Sequence, residues 1–173
     1  MKTTGQMAGA ASVGPLDKRR PRRPCRLAVV FQDYAPPVYF VTFCTARRRT
    51  ILAAPGVHDA FRQYVSASGR HGIGVGSYVI MPDHVHVFVR VSGGRSLGGW
   101  VKGLKRAMGT QLRDVADDGQ VWQTGFFDHV LRHNESYSQK WEYVRQNPVR
   151  KGFVSRPEDW PYSGEVVPIG DVR

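Results

Sequence analysis

The alternation of apolar and polar positions divides the chain into segments of two different periods. Val38-Tyr-Phe-Val-Thr-Phe-Cys44 is dense in aromatic and β-branched residues and follows Pro36 and Pro37, which predicts a buried strand. Over Val57 to Ser68 the apolar positions Val57, Ala60, Phe61, Tyr64 and Val65 recur at helical spacing, and Gly69 offers a stop. Val75 to Met81 and His84 to Val91 read as two strands joined by Pro82-Asp83, with proline preset for the first corner of a tight turn. After Gly93-Gly94, Ser96 can cap a helix running to about Val115, with Leu97, Val101, Leu104, Met108 and Leu112 on an apolar face. A fourth strand is expected from Phe126 to Arg132. A third helix follows from Ser136 to Asn147, ended by Pro148 because the residue before proline disfavours helical geometry.

The resulting order, β-α-β-β-α-β plus a terminal helix, is that of an α+β, ferredoxin-like split βαβ sandwich. It implies a four-stranded antiparallel sheet with helices on one face and a C-terminal helix besides. Residues 1–26 are rich in Gly, Ala, Pro and Arg without apolar periodicity and are expected to form a flexible basic arm. One folded domain is expected over 27–165 and a tail over 166–173. A chain of 173 residues can bury a core of that kind without disulfides.

Composition adds a partner class. With 25 Lys and Arg against 14 Asp and Glu, the net charge of +11 makes a polyanion the expected partner. Nucleic acid leads, because no apolar stretch approaches the roughly 20 residues needed to span a bilayer. Cys25 and Cys44 are too few for a disulfide framework and lack a Cys-x-x-Cys spacing, which suits a reducing cytoplasm. The basic cluster from Lys18 to Arg23 follows the weakly apolar start rather than preceding it, so no export is expected.

Two segments carry candidate chemistry. In the strand His84-Val-His-Val-Phe-Val-Arg90, a period of two sets His84, His86, Phe88 and Arg90 on one face and the three valines on the other. The two imidazoles then stand about 7 Å apart at Cα, close enough to share one divalent cation, although such pairs also occur as ordinary half-buried residues. In Trp141-Glu-Tyr-Val-Arg-Gln-Asn-Pro148, Tyr143 and Asn147 are four positions apart and so share a helical face. A tyrosine that attacks phosphorus must lose a proton held with a pKa of about 10, which calls for a nearby cation or base. Arg90, Lys102, Lys105 and Arg106 are candidate phosphate contacts, with a solvated basic helix face as the plain alternative for the last three.

Tyr39-Phe-Val-Thr-Phe43, Tyr78-Val-Ile-Met-Pro-Asp-His-Val-His-Val87, Trp122-Gln-Thr-Gly-Phe126 and Tyr143-Val-Arg-Gln-Asn-Pro-Val-Arg-Lys-Gly152 resemble the REP-associated tyrosine transposases, a branch of the single-tyrosine HUH transposases. The resemblance runs from about Arg26 to Tyr162. It implies a catalytic domain in which His84 and His86 bind magnesium or manganese and Tyr143 is the nucleophile. Better-studied relatives complete the metal site with a glutamine one turn beyond the tyrosine. Asn147 stands there in this chain with Gln146 beside it, so the third ligand is open between them. The implied activity is nicking and rejoining of single-stranded DNA through a 5′-phosphotyrosine intermediate, at repeated palindromes that fold into hairpins, by a monomer or homodimer. The rival readings are a non-catalytic DNA- or RNA-binding module and a zinc hydrolase built on His84, His86 and a later histidine.

Overall fold

The computed structural model describes residues 36–115, 119–131 and 134–169. Among them β1 (Val38–Cys44), β2 (Ile73–Ile80), β3 (His84–Val91), β4 (Phe127–Leu131) and β5 (Ser163–Glu165) form one sheet in the order β4-β1-β3-β2-β5. Every neighbouring pair is antiparallel. The first four strands have the split βαβ arrangement expected from the sequence. The fifth is a correction: three residues are too few to show a period, and they pair with Ser77, Tyr78 and Val79 at the β2 edge.

Strand alternation gives the sheet two different faces. Val41 and Phe43 of β1, Val75, Tyr78 and Ile80 of β2 and Val85, Val87 and Val89 of β3 join one apolar cluster. Helix α1 (Pro55–Ser68) closes over it with Val57, Phe61 and Val65, and α2 (Leu97–Gly109) with Leu97, Trp100, Val101, Leu104 and Met108. Each such side chain contributes about 1.5–3 kcal/mol by leaving water. The two helices approach closely at Gly103, where a Cβ would lie 2.1 Å from the Tyr64 hydroxyl. That hydroxyl donates to the Trp100 carbonyl at 3.1 Å.

The second face carries Val38 and Phe40 of β1, Val79 of β2, Phe88 of β3 and Leu131 of β4. Helix α3 (Asn134–Arg145) covers it through Tyr137, Trp141 and Val144, so this face is not left open along its whole length. Tyr137 stacks near Phe88 with ring centroids 4.7 Å apart, and its hydroxyl lies 3.0 Å from Ser77 Oγ at an irregularity in β2. The segment after β5, expected as the start of a tail, packs here too. Val166 and Val167 donate to the Gly76 and Val75 carbonyls, and Ile169 is buried against Gly76, where a Cβ would meet it at 2.4 Å. The expected basic arm over 1–26 lies outside the described residues.

Local signals were mostly read correctly, with shifts at element ends. Ser96 caps α2 by accepting from the Gly99 amide at 3.1 Å. Gly69 keeps helical angles, and the left-handed residue after α1 is Gly72, with φ of 71°. Helix α2 ends at Gly109 and continues as a 3-10 segment to Val115. Pro148 does not end a helix. It sits in the first turn of a short helix, α4 (Asn147–Arg150), where a missing N–H costs nothing, so Tyr143 and Asn147 lie on separate helical segments.

Candidate active site

The turn between β2 and β3 is clamped before it reaches the histidines. Thr45 donates to the Asp83 carbonyl from its amide at 3.0 Å and from its hydroxyl at 3.1 Å, and the Leu52 amide donates to the Pro82 carbonyl at 2.8 Å. Arg47 and Arg48 both have left-handed angles, φ of 55° and 56°, a conformation that non-glycine residues adopt only when their surroundings impose it. Arg48 nevertheless reaches the turn, where Nε lies 2.8 Å from Asp83 Oδ2 and Nη1 lies 2.7 Å from Cys44 Sγ.

Beyond this clamp His84 and His86 project from β3 onto the α3 side of the sheet, and their Nε2 atoms face each other at 3.1 Å. Both Nδ1 atoms are occupied: His84 Nδ1 lies 2.6 Å from Asp83 Oδ1 and His86 Nδ1 lies 2.8 Å from Thr42 Oγ1. With the ring protons on Nδ1, His84 donates to a carboxylate and His86 to a hydroxyl, and two lone pairs point into one space. Two such lone pairs repel unless a proton or a cation lies between them. The donor set therefore fits a divalent cation, and the carboxylate behind His84 is the usual support for a metal-binding imidazole.

Electrostatics favours the same state. Burial holds the His84 pKa below its ordinary value against the opposing pull of Asp83, with Arg48 and Lys151 adding to the depression. His86 is pushed down to about 3, chiefly by burial and then by the nearby charges of His84, Arg48 and Lys140. Both shifts favour the neutral ring, the form a metal ligand must take. The Phe40 ring stacks on His86 at 5.3 Å and carries the Lys140 ammonium 5.2 Å above its centroid.

Tyr143 projects from α3, the helix on the histidine side of the sheet, one position before the buried Val144. Its side chain is 62% exposed, which keeps the phenol out of the apolar interior. The Arg150 guanidinium lies 4.1 Å from its ring centroid and also donates to the Tyr143 carbonyl. No hydrogen bond joins Tyr143 to either imidazole among the described residues. Asn147 Oδ1 accepts from Arg150 at 2.6 Å, and Gln146 donates to Glu142 Oε1 at 3.1 Å, so neither amide is directed to the histidines in this structure.

The expected phosphate contacts divide. Arg90 donates to the Ile169 carbonyl at 2.6 Å, fixing the C-terminal segment, and the Lys105 ammonium donates to the Gln123 and Gly125 carbonyls at 2.9 and 2.5 Å. Both are committed within the chain. Lys102 and Arg106 are exposed on α2, on the layer opposite the histidines, and Arg106 borders a cavity of about 430 Å³ with Arg113 and Trp122. Phe88 and Trp100 are both core residues. Thr42, Arg48, Lys140 and Lys151 were missed, since strand adjacency and loop path bring them to the histidines. Asp83 was visible as the neighbour of His84.

Residues 37–147 match the family model described as "Transposase IS200 like". The chain belongs to the IS200-like transposase family. This is a family of transposases, enzymes that act on DNA. Within it the chain is similar to the REP-associated tyrosine transposase of Escherichia coli (strain K12), 26% identical over 90 residues, 51% of this chain and 52% of that protein. The match therefore spans about half the length of that relative. A putative REP-associated tyrosine transposase of Haemophilus influenzae is 23% identical over 137 residues, covering 73% of this chain and 78% of that one. In fold the chain is similar to a solved REP-associated tyrosine transposase bound to a REP hairpin, with a TM-score of 0.61, 22% identity, and coverage of 77% of this chain and 79% of that one. No helix among the described residues is long and apolar enough to cross a membrane.

Proposed function

We propose that this IS200-like transposase is a metal-dependent enzyme that nicks and rejoins single-stranded DNA beside a hairpin, with Tyr143 as nucleophile and His84 and His86 as metal ligands. The observation that carries the reading is the pair of Nε2 atoms at 3.1 Å, each ring backed at Nδ1 by an oxygen. Asn147 is the proposed third ligand, with its carbonyl oxygen held in this structure by Arg150. When bound, magnesium or manganese supplies positive charge to the phosphate oxygens as negative charge builds on them.

The chain's own residues do the rest. The Tyr143 oxygen forms a bond to phosphorus as the bond from phosphorus to the 3′ oxygen breaks. The phenol proton leaves to solvent and the departing oxygen takes up a proton to become a 3′ hydroxyl. Arg150, whose guanidinium lies over the phenol ring, keeps the ring extended from α3. The covalent 5′ link retains the bond energy, so a 3′ hydroxyl from another strand reverses the step and joins DNA without ATP. Lys140 and Lys151 flank the histidine pair with positive charge that attracts the strand. The hairpin partner is supported by the hairpin-bound fold relative and by the net charge of +11.

The test is incubation with hairpin-bearing single-stranded DNA and manganese, read on a denaturing gel. A denaturant-stable protein–DNA adduct that needs the metal supports the proposal. Binding without adduct or cleavage under any divalent cation overturns it in favour of a non-catalytic DNA-binding module.

A further inference from the structure

Among the described residues one strip of the histidine face is left uncovered, and it holds an aromatic ring. Thr42 of β1 pairs with His86 of β3 on one side and with Phe127 of β4 on the other. Directly opposed residues in antiparallel strands project to the same face, so Phe127, Thr42 and His86 form one row across the sheet. The row is confirmed by contact at its inner end, where Thr42 Oγ1 meets His86 Nδ1 at 2.8 Å. Farther along β4 the sheet is closed over, and Leu131 is buried beside Phe88 and Val144. At the start of β4 it is not, and Phe127 is 60% exposed.

Phe127 stands in water in the same row as His86, whereas Phe40 and Phe88 on that face are buried. Two strand spacings, about 10 Å, separate the Phe127 and His86 backbones. That span matches one nucleotide reaching from its phosphate to its base. The Lys140 ammonium, 5.2 Å above the Phe40 ring that stacks on His86, places positive charge on the same surface. A phosphate at the histidine pair thus has a cation at hand and an aromatic face for the unpaired base attached to it.

We infer that Phe127 is the stacking platform for the unpaired base next to the phosphate that is cut, and so helps to choose where along the strand cutting occurs. The inference rests on the proposed nicking site but concerns base contact, which can be measured without cleavage. Stacking on an aromatic ring tolerates any base, so Phe127 sets position and strandedness rather than sequence. A base inside a duplex has both faces covered by its neighbours, and the site therefore favours DNA that is already open.

The probe is a labelled oligonucleotide with a stable hairpin flanked by unpaired arms of mixed sequence, together with copies lacking a single base at each arm position. Binding is followed by fluorescence anisotropy in the presence of magnesium, using Tyr143→Phe so that no strand is cut. With Phe127 present, loss of the base at one position is expected to weaken binding about tenfold, within the range of a single base–aromatic stack. Phe127→Ala is expected to weaken binding of the intact strand by a similar factor and to suffer no further loss from that missing base. Phe127→Trp should retain the position dependence, and Phe127→Leu, which keeps apolar bulk without a flat ring, should lose it. Unchanged affinity in Phe127→Ala and Phe127→Leu, or losses that simply multiply, overturns the inference. Adducts formed by the chain with Tyr143 intact, in the absence of any Phe127 effect, leave the nicking site standing and remove only the platform. The coupled loss without any adduct does the reverse.

Discussion

The two faces of the sheet are built from the same strands and do opposite things. On the α1–α2 side the inward positions of β1, β2 and β3 are almost all Val, Ile, Phe or Tyr, and the layer is sealed by Phe61, Leu104 and Met108, all fully buried. On the α3 side the same strands alternate Phe40 with Thr42 and Phe88 with His86, and the covering helix presents an exposed Tyr143. The sealed face holds the register. Given a fixed register, the other face can keep two neutral imidazoles, a strained arginine loop and an uncovered aromatic ring at little risk to the fold. Stability and chemistry are thus separated by the period of two along single strands such as β3.

The largest expected effect breaks that separation at the proposed nucleophile. Tyr143→Phe removes one exposed oxygen and should lower cleavage by about 10⁴-fold or more while metal binding and melting temperature stay near wild type. Cleavage that survives the change would favour a water nucleophile and a hydrolase. The mirror experiment is Phe61→Ala on the sealed face, expected to cost about 3–5 kcal/mol in denaturant titration. The cleavage rate per folded molecule should be unchanged, and a proportional loss of both would show that the faces are coupled.

Smaller effects sharpen the comparison. Asp83→Asn keeps the shape of the turn but withdraws the charge behind His84, and manganese affinity measured by calorimetry should fall about 10- to 100-fold. An unchanged affinity would mean that His84 is oriented by β3 alone. The acid range reads the same pair through stability. The folded His86 pKa of about 3 lies below its ordinary 6.5, so between those values the unfolded chain binds more protons than the folded one. Stability contributed by neutral His86 is present above 6.5 and is lost as pH falls through that window. The slope is about 1.4 kcal/mol per pH unit without added metal. His86→Gln should flatten the slope in urea titrations at stepped pH, and an unaltered slope would place the acid sensitivity elsewhere.

The sheet and its helices were legible because period and punctuation are local. Ser96 capped α2, Pro82-Asp83 turned β2 into β3, and the alternation in β3 put His84 and His86 together on one side. What was hidden depends on contacts between segments far apart in the chain. Thr42 lies 44 residues from His86, and its meeting with the ring is a matter of strand register. Arg48 reaches Asp83 only through two left-handed residues that no propensity scale anticipates. Basic residues were recognised as a class, yet charge alone did not separate Lys105, spent on two loop carbonyls, from Lys140 beside the histidine pair. The spacing sets Asn147 one turn beyond Tyr143 on an unbroken helix, whereas a new helix begins at Asn147 and its amide turns to Arg150.

Trypsin offers the most direct check on the nucleophile, since Lys140 and Arg145 bracket the peptide Trp141-Glu-Tyr-Val-Arg145, in which Tyr143 is the single tyrosine. The metal-dependent adduct would be trimmed with nuclease, digested and read by tandem mass spectrometry. A nucleotide remnant on Tyr143 of that peptide is the predicted result. A remnant on any other residue, or cleaved DNA with that peptide unmodified throughout the reaction, would contradict it.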